Sequence, residues 1–137
     1  MLDESHNNKP IVPSVLVMDD DEDARELFAI RLKMLGYNAI LTCDGDEAIT
    51  LYAQSLKSGE PIAAAILDLT IPGGMGGKEV AKKIRELDLH ARLIVASGYS
   101  EGPEMTHFAD YGFDGALEKN FDREKLKQVL EQLLAAS

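Results

Sequence analysis

Residues 14–23 read SVLVMDDDED, an apolar run of β type that passes directly into five consecutive acidic residues. A nearly continuous apolar run is typical of a strand that is covered on both faces of a parallel sheet. Further short β-type runs follow at residues 38–42, 63–67, 93–96 and 116–118. The sequence therefore predicts five strands, the first of which ends in a turn rich in carboxylates.

Amphipathic helical patterns lie between and after these runs, and capping residues mark their ends. Gly36 ends the first, Asp44 with Glu47 begins the second, Pro103 opens the fourth and Asp122 caps the fifth. The positions predicted to face the core are Ala24, Leu27, Phe28 and Leu35 in the first helix, Val80, Ala81, Ile84 and Leu87 in the third, Met105, Phe108 and Ala109 in the fourth, which ends at Gly112, and Leu126, Val129, Leu130 and Leu133 in the fifth. Strands that alternate with helices predict a doubly wound α/β fold with a parallel sheet.

Length and composition set limits on the kind of protein. The 137 residues suit one domain, which we assign to residues 11–137 after a polar tail or linker remnant at 1–10. A net charge of −10 argues against binding of nucleic acid or of an anionic membrane. The single cysteine excludes an intramolecular disulfide, and no apolar run approaches the ~20 residues of a membrane span. We therefore expect a cytoplasmic location.

Side chains that carry oxygen or charge follow four of the five predicted strands. Asp19 and Asp20 follow the first strand, Asp68 the third, Ser97 the fourth and Lys119 the fifth. In doubly wound sheets, ligands bind beyond the carboxyl ends of the strands. The sequence therefore predicts that these side chains meet at one edge of the sheet.

Three carboxylates that converge repel one another, so either a retained proton raises a pKa or a divalent cation supplies the compensating charge. Ligation by oxygen atoms alone suits Mg²⁺. With a hydroxyl group, an ammonium group and a carboxylate able to attack, the set has the parts that phosphoryl transfer to an aspartate requires. We interpret the acidic residues at 21–23 differently, as the capped start of the next helix.

The chain contains four segments in this order: VLVMDDDED, ILDLTIPGGMGG, IVASGYS and GALEKNF. With these segments, residues 12–134 resemble the receiver domain of two-component response regulators. The resemblance implies a flavodoxin-like (βα)5 sandwich with strand order 2-1-3-4-5. It also implies a phosphodonor, the histidine of a sensor histidine kinase or of a histidine phosphotransfer protein. The sequence leaves open a homodimer through the face of the fourth helix, fifth strand and fifth helix.

The resemblance also assigns roles to individual residues. Asp68 is the implied phosphoacceptor, and the implied ligands of Mg²⁺, for which Mn²⁺ substitutes, are Asp68, Asp20, the main-chain carbonyl of Thr70 and, through water, Asp19. Ser97, Gly98 and Lys119 are the implied phosphoryl-binding and switch residues. Thr70 and Tyr99 occupy positions that tune the lifetime of the phosphorylated state.

Three features depart from the family pattern. Ala116 stands where the family has its switch aromatic, so the usual inward swing of that ring is lost. Asn120 replaces the proline that usually follows the lysine through a cis bond, and a cis bond before another residue costs about 2.5–4 kcal/mol. The glycine-rich segment at 72–77 is one residue longer than the common form and resembles receivers attached to hybrid sensor kinases.

Four functions remain open on this basis. The first is a phosphorylation-controlled switch that acts on no external substrate. The second is a small Mg²⁺-dependent phosphatase of the haloacid-dehalogenase type, although Thr70 stands where those enzymes carry a second aspartate. The third is a flavodoxin-like nucleotide binder, which needs a phosphate cradle where the acidic residues 19–21 lie. The fourth is a receiver-like module that binds partners without phosphorylation, suggested by Ala116 and Asn120.

Overall fold

The computed structural model of the protein describes residues 12–98 and 101–135, so the tail predicted at 1–10 lies outside the described residues. Strands and helices alternate as predicted: β1 Ser14–Met18, α1 Glu22–Met34, β2 Asn38–Thr42, α2 Gly45–Ser58, β3 Ile62–Asp68, α3 Gly77–Leu87, β4 Leu93–Ser97, α4 Pro103–Thr106, β5 Gly115–Glu118 and α5 Arg123–Ala135. Within these ranges, none of the helices has the length and apolar character that crossing a bilayer requires.

The five strands form one parallel sheet in the order β2-β1-β3-β4-β5, which confirms the predicted fold class and topology. The strand register aligns the ends that matter for function. Asp68 lies opposite Ala96 of β4, and Ser97 lies opposite Glu118 of β5. The carboxyl ends of β3, β4 and β5 therefore meet at the same edge of the sheet.

Helices cover both faces of the sheet, which explains the nearly continuous apolar character of the central strands. Leu16 of β1 belongs to a core cluster shared with α2, α3 and α4. Its neighbour Val17 belongs to the opposite cluster, shared with α1 and α5. Successive side chains of a strand point to opposite faces, so both kinds of position must be apolar here.

The predicted helix starts are confirmed by hydrogen bonds. The carboxylate of Asp21 accepts from the amide two residues ahead at 3.1 Å, and that of Asp44 accepts from the Glu47 amide at 2.9 Å. The Glu47 side chain in turn accepts from the Cys43 amide at 2.9 Å, and Asp122 accepts from the amide three residues ahead at 2.8 Å. These bonds satisfy amides that lack a partner within the helix.

The prediction of one continuous fourth helix was wrong. The α-helix ends after a single turn, at His107 with φ −127° and ψ 49°, and a 3₁₀ turn follows at Phe108–Tyr111. A 3₁₀ turn has fewer residues per turn, so it changes which positions face inward. Ala109 is consequently exposed, whereas Phe113, which the pattern did not include, is buried.

Two further residues predicted to face the core lie at its margin. Leu27 is 38% exposed and Leu87 is 47% exposed. The core-facing stripe of α1 runs through Phe28 and Leu32, and Leu27 is rotated by about 100° from Phe28 around the helix. Leu87 is the last residue of α3, beyond the buried Ile84.

Candidate functional site

Three aspartates converge at the carboxyl edge of the sheet, as predicted. Asp19 follows β1, Asp20 is its neighbour and Asp68 is the last residue of β3. One carboxylate oxygen from each lies within 4.8 Å of the others, and we call this set the carboxylate cluster. Asp19 is 1% exposed and Asp68 4% exposed, whereas Asp20 faces solvent. The cluster is thus buried on one side and open to water on the other.

Lys119 reaches into the carboxylate cluster from the end of β5. Its ammonium nitrogen donates a hydrogen bond to Asp68 Oδ2 at 3.1 Å and lies 3.0 Å from Asp19 Oδ2. The Lys119 amide donates to the carbonyl of Ser97 at 2.9 Å. The structure therefore brings together the lysine, two of the carboxylates and the end of β4, as the sequence predicted.

The charges at this edge do not balance. Burial raises the pKa of the Asp68 carboxyl and the charge of Asp19 adds to the rise, while Lys119 and the amide of Thr70 offset part of it. Burial lowers the pKa of Lys119, but the carboxylates of Asp19 and Asp68 outweigh that effect and the pKa is raised overall. The lysine therefore remains charged, and it supplies one positive charge against three carboxylates.

The residues of the cluster fit a divalent cation. Asp19 Oδ2 is fully buried and accepts no hydrogen bond of normal geometry, although Lys119 is within ion-pair distance. A buried oxygen in this state is costly unless another group satisfies it. Carboxylate oxygens with an open, hydrated side are the environment that Mg²⁺ prefers, because it keeps several waters. Asp19, Asp20 and Asp68 would hold the ion. Oxygen ligands of this kind also suit Mn²⁺.

Hydrogen bonds that the sequence did not predict orient Asp19. The Arg25 side chain donates to the Asp19 carbonyl at 2.8 Å, and the Asp19 amide donates to the carbonyl of Thr42 at 3.1 Å. Asp19 Oδ1 accepts from the amide of Asp21 at 3.0 Å. Arg25 is the fourth residue of α1, which begins beside the acidic run. This nearness to Asp19 in the sequence is the signal from which the contact could have been predicted.

Two glycines permit a close backbone approach behind Asp68. A Cβ atom at Gly77 would lie 2.8 Å from the Asp68 carbonyl oxygen, and one at Gly76 would lie 2.4 Å from the Leu69 carbonyl oxygen. The Gly77 amide donates to that Leu69 oxygen at 3.2 Å. The sequence showed a glycine-rich segment at 72–77, but only the structure shows which glycines the start of α3 requires.

The remaining predicted site residues lie around the cluster. Ser97 is 4% exposed at the end of β4, and Gly98 follows it at the surface. Thr70 is exposed, and its amide donates to Asp68 Oδ1 at 3.3 Å. The role of the Thr70 carbonyl as a metal ligand and the roles of Ser97 and Gly98 stay predictions. Tyr99 lies outside the described residues.

Two of the three departures from the family pattern are those at Ala116 and Asn120. Ala116 is half-buried and lines two neighbouring clefts of about 620 and 510 Å³. Asn120 is exposed in the connection from β5 to α5. Across residues 12–98 and 101–135 no peptide bond is cis, so the bond between Lys119 and Asn120 is trans.

Comparison with known proteins identifies the family of this chain. Residues 15–131 match the family model of the response regulator receiver domain, and the chain belongs to this family. An NtrX-like response regulator of Rickettsia bellii is 30% identical over 122 residues, which are 86% of this chain and 24% of that protein. The chain thus spans about a quarter of that relative's length.

Two solved structures extend the comparison to metal binding. The response regulator TrrA of Thermotoga maritima, in complex with Mg²⁺-BeF, is 30% identical, with a TM-score of 0.74 over 90% of this chain and 100% of that one. The receiver domain of the histidine kinase CKI1 of Arabidopsis thaliana, complexed with Mg²⁺ and BeF₃⁻, is 25% identical, with a TM-score of 0.76 over 90% of each chain. Receiver domains of this family act in two-component signal transduction and interact with histidine kinases or phosphotransfer proteins.

Proposed function

We propose that this domain is the phosphoacceptor switch of a two-component phosphorelay, with Asp68 as the residue that takes the phosphoryl group. The convergence of the carboxylate cluster with Lys119 at one edge of the sheet is the observation that supports this most strongly. The donor is the phosphohistidine of a sensor kinase or of a phosphotransfer protein, and the transfer depends on Mg²⁺.

The transfer follows from the chemistry of these groups. A carboxylate oxygen of Asp68 attacks the phosphorus atom and forms a P–O bond, while the P–N bond to the donor histidine breaks. The imidazole nitrogen leaves with the electron pair and takes up a proton. Mg²⁺ held by the carboxylate cluster would supply positive charge near the transferring oxygens. Lys119, which lies 3.1 Å from Asp68, and the hydroxyl of the neighbouring Ser97 would contact these oxygens.

Phosphorylation of Asp68 changes the partner that Lys119 contacts. The backbone bond from Lys119 to Ser97 ties β5 to the end of β4, so a shift at either residue reaches the other strand. We infer that the change biases an equilibrium at the face of α4, β5 and α5. The domain then promotes only its own phosphorylation and dephosphorylation and turns over no external substrate.

Labelling with radioactive acetyl phosphate tests this proposal. The wild-type protein should incorporate phosphate with Mg²⁺ present and none with EDTA, and the label should be released by hydroxylamine, as an acyl phosphate is. D68N should incorporate none, whereas D46N, which changes an exposed aspartate in the first turn of α2, should label as the wild type does. A wild-type protein that stays unlabelled with Mg²⁺ would argue for a module that binds without phosphorylation, and steady hydrolysis of simple phosphomonoesters would argue for a phosphatase.

A further inference from the structure

Phe121, two residues after Lys119, is held by two side chains of α1. Its ring stacks on that of Phe28 with centroids 4.7 Å apart and an angle of 29° between the planes. The guanidinium carbon of Arg31 lies 5.0 Å from the centre of the Phe121 ring, and the same group donates a hydrogen bond to the Phe121 carbonyl. We call these contacts the Phe121 clasp.

The clasp acts at one end of the connection from β5 to α5, whose middle residue is exposed. Asn120 is exposed, and its backbone lacks the fixed φ that a proline would impose. The Phe121 amide donates to the Glu118 carbonyl at 3.1 Å, which closes a turn around Lys119 and Asn120. One end of this turn is fixed by β5. The other end is fixed by the clasp around Phe121, which is only 7% exposed.

The same helix also orients the metal-binding side of the site. Arg25 of α1 bonds the carbonyl of Asp19, and Arg31 of α1 bonds the carbonyl of Phe121. Arginine suits the second position because its planar group can lie on a ring while its N–H groups donate. The helix α1 therefore contacts the backbone at Asp19 and the backbone two residues after Lys119, near both partners of this ion pair.

We propose that Arg31, acting with Phe28 through Phe121, is a positioning residue that holds the Lys119 ammonium group opposite Asp68. This inference rests on the proposed function, because the lysine acts on the phosphoryl group. It assigns a role in phosphoryl transfer to a side chain that touches neither the carboxylate cluster nor the phosphoryl site.

The first test compares R31Q, R31K and K33Q. Lys33 is exposed on the same helix, so K33Q removes the same charge without touching Phe121. R31Q should slow labelling by acetyl phosphate about tenfold, as expected for loss of one coupled contact, and R31K should recover part of the rate. K33Q should label at the wild-type rate. The affinity for Mg²⁺, measured by titration calorimetry, should be no weaker in any variant than in the wild type, because the clasp does not touch the carboxylates and a displaced Lys119 only removes positive charge from beside them.

A double-mutant cycle separates positioning from general destabilisation. K119M removes the group that Arg31 positions, so adding R31Q to K119M should cause no further slowing. Equal slowing of labelling by R31Q in both backgrounds, or weaker Mg²⁺ binding in R31Q, would overturn the inference. If R31Q does not fold, the same cycle is made with R31K.

A spectroscopic measurement keeps the inference testable if the proposed function fails. A wild-type protein that takes up no phosphate contradicts the proposed function. The effect of the clasp on the position of Lys119 is then tested by nuclear magnetic resonance. The amide resonances of Lys119 and Phe121 should then move in R31Q and stay in place in K33Q. Unchanged Lys119 resonances in R31Q would contradict the role of Arg31 as a positioning residue.

Discussion

Lys119 Nζ and Asp68 Oδ2 lie 3.1 Å apart and join positions that are 51 residues distant in sequence. The same nitrogen lies 3.0 Å from Asp19 Oδ2. Without this ammonium group, two buried carboxylates would lose the cation that contacts both of them. Lys119 therefore serves the stability of the domain as well as its proposed chemistry.

We expect K119M to destabilise the domain in the absence of divalent cations. Removal of one partner leaves buried carboxylates unpaired, and because the lysine is itself partly exposed the cost should be about 2 kcal/mol in free energy of unfolding. Urea denaturation in EDTA measures it, with K127M, at an exposed lysine of α5, as the control. Mg²⁺ should recover more stability in K119M than in the wild type. A K119M protein as stable as the wild type in EDTA would contradict this account.

Asp20 offers a way to separate metal binding from folding. It is exposed, so D20N should leave the melting temperature in EDTA nearly unchanged. For the wild type, Mg²⁺ at 100 times its dissociation constant should add about 2.7 kcal/mol to the free energy of unfolding by mass action. D20N should lose most of that increment at the same Mg²⁺ concentration, whereas D46N should keep it. The idea is wrong if D20N and the wild type gain equally from Mg²⁺ in thermal melts.

Gly77 should not tolerate a side chain. In G77A the new Cβ would lie 2.8 Å from the Asp68 carbonyl oxygen, so the start of α3 must move away from β3. We expect a loss of about 1–3 kcal/mol in the free energy of unfolding, together with weaker Mg²⁺ binding at Asp68. G74A is the matched control, because its Cβ would meet only the Ile71 side chain at 3.5 Å. Equal stability of the two variants in urea would show that the close approach is not required.

The sequence predicted most of this fold because the signals were local. Apolar runs, caps such as Asp44 and a glycine at the end of a helix each lie within a few residues of the element they define. The carboxylate cluster was predictable for a topological reason, since parallel strands deliver their carboxyl ends to one edge. The meeting of Asp19, Asp68 and Lys119 at this edge could therefore be predicted without knowledge of any side-chain conformation.

Contacts between distant elements were not predictable in the same way. Arg31 and Phe121 are 90 positions apart, and nothing in either segment indicates the other. The approach of Gly77 to the Asp68 carbonyl depends on the placement of α3 against β3. The break at His107 was missed for a different reason, because an apolar pattern does not distinguish one α-helix from a helical turn followed by a 3₁₀ turn.

Ala116 should accept an aromatic side chain. It lines two clefts of about 620 and 510 Å³, so the ring introduced by A116F can occupy a cleft, whereas a ring introduced in the core cannot. The free energy of unfolding should change by less than about 1 kcal/mol, whereas A96F, at a residue 1% exposed in the same sheet region, should lose about 3 kcal/mol from overpacking. Urea denaturation of both variants measures the difference. Similar losses in the two proteins would mean that the clefts close in solution.

Tyr52 should make the stability of the domain fall at alkaline pH. Its side chain is 2% exposed, and its hydroxyl donates to Asp88 Oδ2 at 2.7 Å. Burial, followed by the hydrogen bond to Asp88 and its charge, raises the pKa of Tyr52 well above its usual range, although Arg85 and Arg92 act in the opposite direction. The folded protein therefore keeps this proton at a pH where the unfolded chain loses it.

The sign of the effect follows from proton counting. Above about pH 10, where an unfolded tyrosine ionises, the unfolded state binds fewer protons than the folded state, so the free energy of unfolding falls as pH rises. The contribution of Tyr52 to this slope should approach about 1.4 kcal/mol per pH unit. Y52F removes it, so urea denaturation at a series of pH values should give a flatter dependence for Y52F than for the wild type. Parallel curves for the two proteins would show that the Tyr52 hydroxyl ionises as freely in the folded state as in the unfolded chain.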